Sequence, residues 1–177
     1  MDLLINNKRF KKDFDCLKEV TLNPERHSAP NAYIHCKQVV ERAKELAELN
    51  RLDSESAILI VNLAYVHDIG KIHGDARPAS SVELLPQYGV TQQAMIDYVK
   101  YHDINLPWFI AHGKGQTPGE KAWRKLAGKI DMQLLCLFMI ADRVDCPGGW
   151  QANEPLVWFI SEARQRGLLT GELRSLP

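Results

Sequence analysis

Residues 57–71 read AILIVNLAYVHDIGK. The first ten are almost wholly apolar, a composition that fits a buried strand as well as a buried helix. The residues just before them decide for helix: Asp53 or Ser54 stands where an N-cap is needed, with Glu55 in the favourable first turn. Length points the same way, because the apolar run and its flanks exceed an ordinary strand. The segment ends on His67-Asp68, with Gly70 marking the helix end or a tight turn. A core has no use for an imidazole beside a carboxylate, whereas a metal site does.

Outward from this stretch the apolar spacing stays helical. A short helix is expected over Phe10 to Val20, and LNPERHSAPN reads as loop. A longer helix spans about Asn31 to Leu49, where His35, Val39, Ala43 and Leu46 recur at three and four with Cys36, Val40 and Ala47 beside them. PASSVELL starts another, Pro78 being tolerated in its first turn, and YGVT breaks it. Thr91 is expected to cap QQAMIDYVKYH, in which Met95, Val99 and His102 keep helical spacing. INLPWFIAHGKGQ reads as loop on the strength of Pro107 and two glycines. In TPGE, Thr117 is the expected N-cap, Pro118 the first residue and Glu120 the partner in a capping box, with Gly128 interrupting the helix so opened. DMQLLCLFMIADRVD forms a further helix that CPGG stops. A last helix, about Glu154 to Arg166, points Leu156, Val157 and Ile160 inward. The expectation is an all-α bundle of about seven helices, one domain over residues 1–177.

With 177 residues, 45% of them hydrophobic and 25% charged, the chain has the profile of a soluble globular domain with one sizeable core. Lys plus Arg and Asp plus Glu are equal at 22 each, which argues against a footprint for long nucleic acid. The opening MDLLINNKRFKKDFD is polar too soon for a signal peptide, and no run is long enough to cross a bilayer. Cys16, Cys36, Cys136 and Cys146 lack the paired spacing of a metal finger and read as buried thiols of a cytoplasmic protein.

Three elements carry chemistry. His67-Asp68 closes the most apolar helix. Asp142 follows the uncharged run Met132 to Ala141, where an unpaired buried carboxylate is costly, although Arg143 and Asp145 also fit a helix leaving for solvent. His35 heads an apolar stripe and, taken alone, reads as a satisfied core histidine. Together, two imidazoles and two carboxylates form a mixed N/O shell suited to one divalent ion, Mn, Fe, Co, Ni, Zn or Mg, with positions left for water and substrate.

The order His…His-Asp…Asp, carried by HCKQVVERAKELA, YVHDIGK and FMIADRVD, resembles the HD-domain metal-dependent phosphohydrolases over about residues 31–146. Residues 147–177 would then form a C-terminal helical extension. The resemblance implies His35, His67, Asp68 and Asp142 as metal ligands. The HDxGK form is similar to the branch holding the HD parts of tRNA nucleotidyltransferases and many nucleotide phosphodiesterases. It implies Asp68, Lys71 and His102 as catalytic residues, with Lys71 beside the phosphate. Two-metal members carry two further histidines. His102 fits one slot, while the other holds Ala76 or Arg77, with His73 displaced by a few residues. One tightly held ion is therefore expected, a second, weaker ion bridged by Asp68 being the competing view. Arg77, His73 and Trp108 are the further candidates for binding substrate, Trp108 and Phe109 by stacking on a base. The loop with His112 and Lys114 is a candidate lid. The implied substrate is a small phosphorylated molecule, a nucleotide by preference. A catalytically weak or inactive module that binds nucleotide or protein is the alternative, and an oxygenase is a third reading that needs the full two-metal ligand set. EPLVWFI offers a homodimer face, and His27 receives no role.

Overall fold

The computed structural model describes residues 4–175. Among them the chain is all-α: nine α-helices and five short 3-10 turns, with one isolated antiparallel bridge between Thr21 and Asn31 and no sheet. The α-helices are α1 (Lys8–Cys16), α2 (Ala32–Leu49), α3 (Ser54–Val66), α4 (Pro78–Leu84), α5 (Gln93–Tyr101), α6 (Asn105–Gly113), α7 (Glu120–Ala127), α8 (Met132–Asp142) and α9 (Glu154–Gln165). None is long and apolar enough to cross a membrane.

The helices that matter most start where short polar side chains satisfy their free N–H groups. Asn31 Oδ1 accepts from the Ile34 amide at 2.9 Å at the head of α2. Asp53 accepts from Glu55 and Ser56, both at 2.9 Å, at the head of α3. Asp131 and Asn153 do the same for α8 and α9. α8 is buried along nearly its whole length, Leu134 to Asp142, and α3 is buried from Ile60 to Ala64. Such helices occupy the middle of a bundle. α2 packs against both, turning Cys36, Val39, Val40, Ala43 and Leu46 inward. The register brings together the first turn of α2 and the carboxyl ends of α3, α5 and α8. Three helix carboxyl ends at one place favour a cation there.

Two aromatic groups flank this centre. Phe10, Phe14, Tyr33, Tyr65 and Tyr88 interlock with centroid separations of 5.2–6.3 Å. Trp108, Trp123, Trp158 and Phe159 form a second group that ties α6, α7 and α9 together.

Several expectations need correction. Helices number nine among the described residues rather than about seven. Part of the difference is α6, which occupies the stretch read as loop. Pro107 is tolerated because it falls in the first turn, where no N–H is needed for the ladder. The TPGE capping box does not form. Gly119 is the cap of α7 without a side-chain bond, and Thr117 Oγ1 instead lies 2.8 Å from His112 Nδ1. Gln92, not Thr91, precedes α5 and also makes no side-chain cap. Val157 is 41% exposed, whereas Leu156 and Ile160 do face inward.

Gly70 belongs to the 3-10 turn Ile69–His73, and its reason is contact rather than a left-handed backbone. A Cβ built there would stand 2.5 Å from the Ser81 nitrogen and 2.6 Å from Ser80 Cβ. Its N–H donates to Ser81 Oγ at 3.0 Å. The turn after His67-Asp68 is thereby pressed onto α4.

Candidate metal centre

His35 lies in the first turn of α2, His67 caps the carboxyl end of α3, Asp68 comes next, and Asp142 closes α8. Their polar atoms converge. His35 Nε2 is 3.2 Å from Asp142 Oδ1 and 3.8 Å from Asp68 Oδ2. His67 Nε2 is 3.1 Å from the same Asp142 oxygen and 3.4 Å from Asp68 Oδ2. All four residues are buried.

Hydrogen bonding on the far side of His67 defines its chemistry. Nδ1 lies 3.1 Å from the Ala64 carbonyl, so this nitrogen carries a proton and donates it. Nε2 is buried and without a hydrogen-bond partner. In a neutral ring its lone pair faces two carboxylates, an arrangement that repels unless a cation sits between them. His102 is held alike, Nδ1 being 2.7 Å from the Val99 carbonyl, with its ring 5.2 Å from that of His67. The donor set fits one divalent ion: imidazole nitrogens, carboxylate oxygens and an orphaned lone pair aimed at their meeting point.

Protonation reports the same need. Burial opposes charge on His67, but the Asp68 and Asp142 carboxylates outweigh it and hold the imidazole up to about 10. His35 is raised too, burial being outweighed by its contacts with Asp142 and Asp145. Burial likewise resists ionisation of Asp68 and Asp142, yet both carboxyls are held below their ordinary range, by His67 and Lys71 for Asp68 and by Arg143 and His67 for Asp142. Burial, followed by the neighbouring charge on His67, lowers His102. Without metal, then, protons on the imidazoles stand in for it.

His35, Asp68 and Asp142, with His102, line an open cavity of about 420 Å³, while His67 stays buried without lining it. Lys71 lines it, with its ammonium 2.5 Å from Asp68 Oδ2. Asp103, Asn105 and Leu106 stand on one side and Arg26, Pro147 and Pro155 on another.

Three expected substrate contacts do not reach this cavity. Arg77 has a side chain 81% exposed and is closed onto Asp75 at 2.6 Å, because its own turn offers a carboxylate two residues away. His73 is exposed at the end of its 3-10 turn and does not line the cavity. Trp108 packs into the tryptophan group, 4.7 Å from Trp123. Nor does the glycine-bearing segment form a lid. His112 ends α6 and stacks on Trp158 at 5.1 Å, and neither it nor Lys114 lines the cavity.

Arg143 lines the cavity together with Lys71 and Arg26, and it grips Asp142 directly and Asp103 Oδ1 at 2.8 Å. Its signal lay in FMIADRVD, where an arginine beside a buried carboxylate is its natural counter-charge. His27 was also missed. It lies 3.0 Å from Asp145, which in turn lies 3.1 Å from His35. No periodicity marks a histidine in a loop. Cys36 brings its sulfur near His67 and Asp68, but burial, followed by Asp68, pushes its thiol far up, so it remains a neutral S–H and a poor ligand. Asn105 is fully buried at the head of α6, with neither end of its carboxamide hydrogen-bonded.

A family model described as HD domain matches residues 32–146, more than half of the chain. Neither the curated proteins nor the solved structures gave a match.

Proposed function

The chain belongs to the HD-domain family, and from that premise we propose that it hydrolyses a phosphate ester of a small, nucleotide-like molecule at a single divalent ion held by His35, His67, Asp68 and Asp142. Family membership and the buried His35–His67–Asp142 triad support metal-dependent phosphohydrolase activity. The observation that carries the reading is the orphaned Nε2 of His67, 3.1 Å from Asp142 and 3.4 Å from Asp68.

His35, His67, Asp68 and Asp142 would hold a divalent ion there, which would supply Lewis acidity and lower the pKa of water at neutral pH. The protein's own groups do the rest. The Ala64 and Val99 carbonyls hold the Nδ1 protons of His67 and His102, which leaves Nε2 of His67 for the Asp68 and Asp142 meeting point and Nε2 of His102 for the substrate. Lys71 and Arg143 offset the charge that grows on the phosphoryl oxygens. Each is already held by a carboxylate, Lys71 by Asp68 and Arg143 by Asp142 and Asp103, so both are in place before substrate arrives. His102, buried and with its charged form disfavoured, suits taking a proton at Nε2 from the attacking water and passing it to the leaving oxygen. Leu106, Pro147 and Pro155 give the outer wall an apolar surface for the organic part of the ester. The cavity has room for a nucleotide-sized ligand and is too confined for a folded polymer.

The test pairs metal reconstitution with Asp68→Asn. Wild type loaded with Mn, Co, Ni, Zn or Mg is assayed on nucleoside mono-, di- and triphosphates, cyclic nucleotides and a generic phosphate ester. Chelator should abolish turnover, and Asp68→Asn should cut kcat by about a hundredfold or more. Equal turnover by the variant or by chelated protein would sink the reading. Nucleotide binding without turnover on any metal would make the chain a binding module.

A further inference from the structure

We infer that Asp145 is a positioning residue, which braces His35 from behind with His27 as its outer support, so that His27, His35 and Asp145 serve the metal centre instead of holding an ion of their own. The inference rests on the proposed single-ion site and adds to it the residues that aim one ligand.

An imidazole has two nitrogens and can offer a metal only the one without a proton. His35 Nε2 faces Asp142 at 3.2 Å and Asp68 at 3.8 Å, the side where the candidate ligands meet. Its Nδ1 is buried on the other side, 3.1 Å from Asp145 Oδ1. That contact has the length of a hydrogen bond but lies off its best line, since Nδ1 has no well-aligned partner. A carboxylate at Nδ1 keeps the proton there, leaves the lone pair at Nε2 and strengthens the ring as a ligand.

Asp145 is itself held in place. Its two oxygens lie 3.2 and 3.0 Å from His27 Nδ1. Its backbone carbonyl accepts from the Ser28 amide at 2.9 Å. The His27 and His35 rings meet edge to face at 4.9 Å. The loop before α2 is thus pinned to the segment after α8, and α2 cannot rotate His35 away without breaking these contacts. Asp142 and Asp145 divide the work three residues apart: one faces the ion and the other faces the back of a ligand.

The same three side chains are close enough to coordinate a metal. Two ions would then share His35, one at each nitrogen, and the ring would have to lose both protons. A neutral ring that donates to Asp145 and offers Nε2 requires no such step.

The experiment is a titration of purified, chelator-stripped full-length chain with Co(II), read by calorimetry and by the visible absorption of the bound ion. Wild type should bind one ion. Asp145→Asn, which keeps shape and loses charge, should still bind one ion, with affinity weakened about 10- to 100-fold, the range seen when outer partners of metal-bound histidines are removed. Asp145→Glu should recover part of the loss, and His27→Gln should give a smaller loss in the same direction with a changed Co(II) spectrum. His27 is only half-buried, so that variant remains informative if Asp145→Asn folds poorly. Melting in excess chelator separates the effects, since mere packing damage would lower that temperature and leave the affinity of the folded protein unchanged. Unchanged affinity in both variants, or two ions on wild type falling to one on Asp145→Asn, would overturn the inference. A wild type that binds no ion would overturn the metal reading beneath it, a result that cannot be confused with a wild type that binds normally beside unaffected variants.

Discussion

Metal should bind this protein in competition with protons, and the pH dependence can be worked out from the site. His67 is held up to about 10 and His35 is also raised, so at neutral pH the metal-free centre carries protons where an ion would sit. Binding must expel them. Each proton displaced makes the apparent association constant climb about tenfold per pH unit, so from about pH 6 to 8 the gain is about a hundredfold for one proton and its square for two. Asp68 and Asp142 are lowered and stay ionised throughout, so they add no slope in this window. The stability of the chelated protein runs the other way. His67 has a folded value above its ordinary 6.5, so its contribution is complete below that value and fades as pH rises toward about 10. With metal in excess, each tenfold gain in affinity adds about 1.4 kcal/mol. For a chain of this size that is about 3–6 °C of melting temperature per pH unit. The assay is melting with and without chelator at a series of pH values, with calorimetry in buffers of different ionisation heat to count the protons released. A gap between the two melting curves that stays flat from about pH 6 to 8, with no proton released, would mean that both imidazoles are already neutral without metal and would refute the reasoning.

Three other outcomes come from the packing. Gly70→Ala places a methyl 2.5 Å from a backbone nitrogen of α4, so the turn or the helix must move by about an ångström, at a cost of about 2–3 kcal/mol; urea unfolding should show it, and a variant as stable as wild type would mean that the turn is not pressed onto α4. Arg143→Ala leaves Asp142 and Asp103 without their shared cation and should destabilise by about 3 kcal/mol or more while raising KM, whereas Arg77→Ala should change neither melting temperature nor kinetics, because its guanidinium is exposed and paired only with Asp75.

The parts of the fold legible in the sequence were those set by burial and by caps with a short polar side chain. Asp53 announces α3, and the apolar runs of α3 and α8 announce the two most buried helices, whereas the caps of Asn31 and Asp131 came only with the structure. α6 was not legible: Pro107 and the glycines outweighed a helix whose apolar side is completed only by Trp123 and Phe159 from elsewhere in the chain. The convergence of His35, His67, Asp68 and Asp142 could be anticipated from the resemblance to the HD pattern, since His35 by itself reads as a core histidine and Asp142 also fits a helix leaving for solvent. Arg77 misled for the opposite reason. The family resemblance put it in a ligand's slot, but Asp75 beside it captured the guanidinium. His27 and Asp145 depend on a contact across more than a hundred residues, which leaves no trace in local spacing.

Three of the chain's four tryptophans sit in one group, on α6, α7 and α9, while the tyrosines of the other group belong to the region of α1, α2 and α3. The protein therefore carries two built-in optical reporters. Tryptophan emission draws mainly on α6, α7 and α9, tyrosine absorption draws on Tyr33, Tyr65 and Tyr88 of the other group and on Tyr98 and Tyr101 of α5, and helical circular dichroism averages over all of them. Unfolding traces that coincide would describe one cooperative unit, and traces that separate would divide the chain at the boundary between its two aromatic groups.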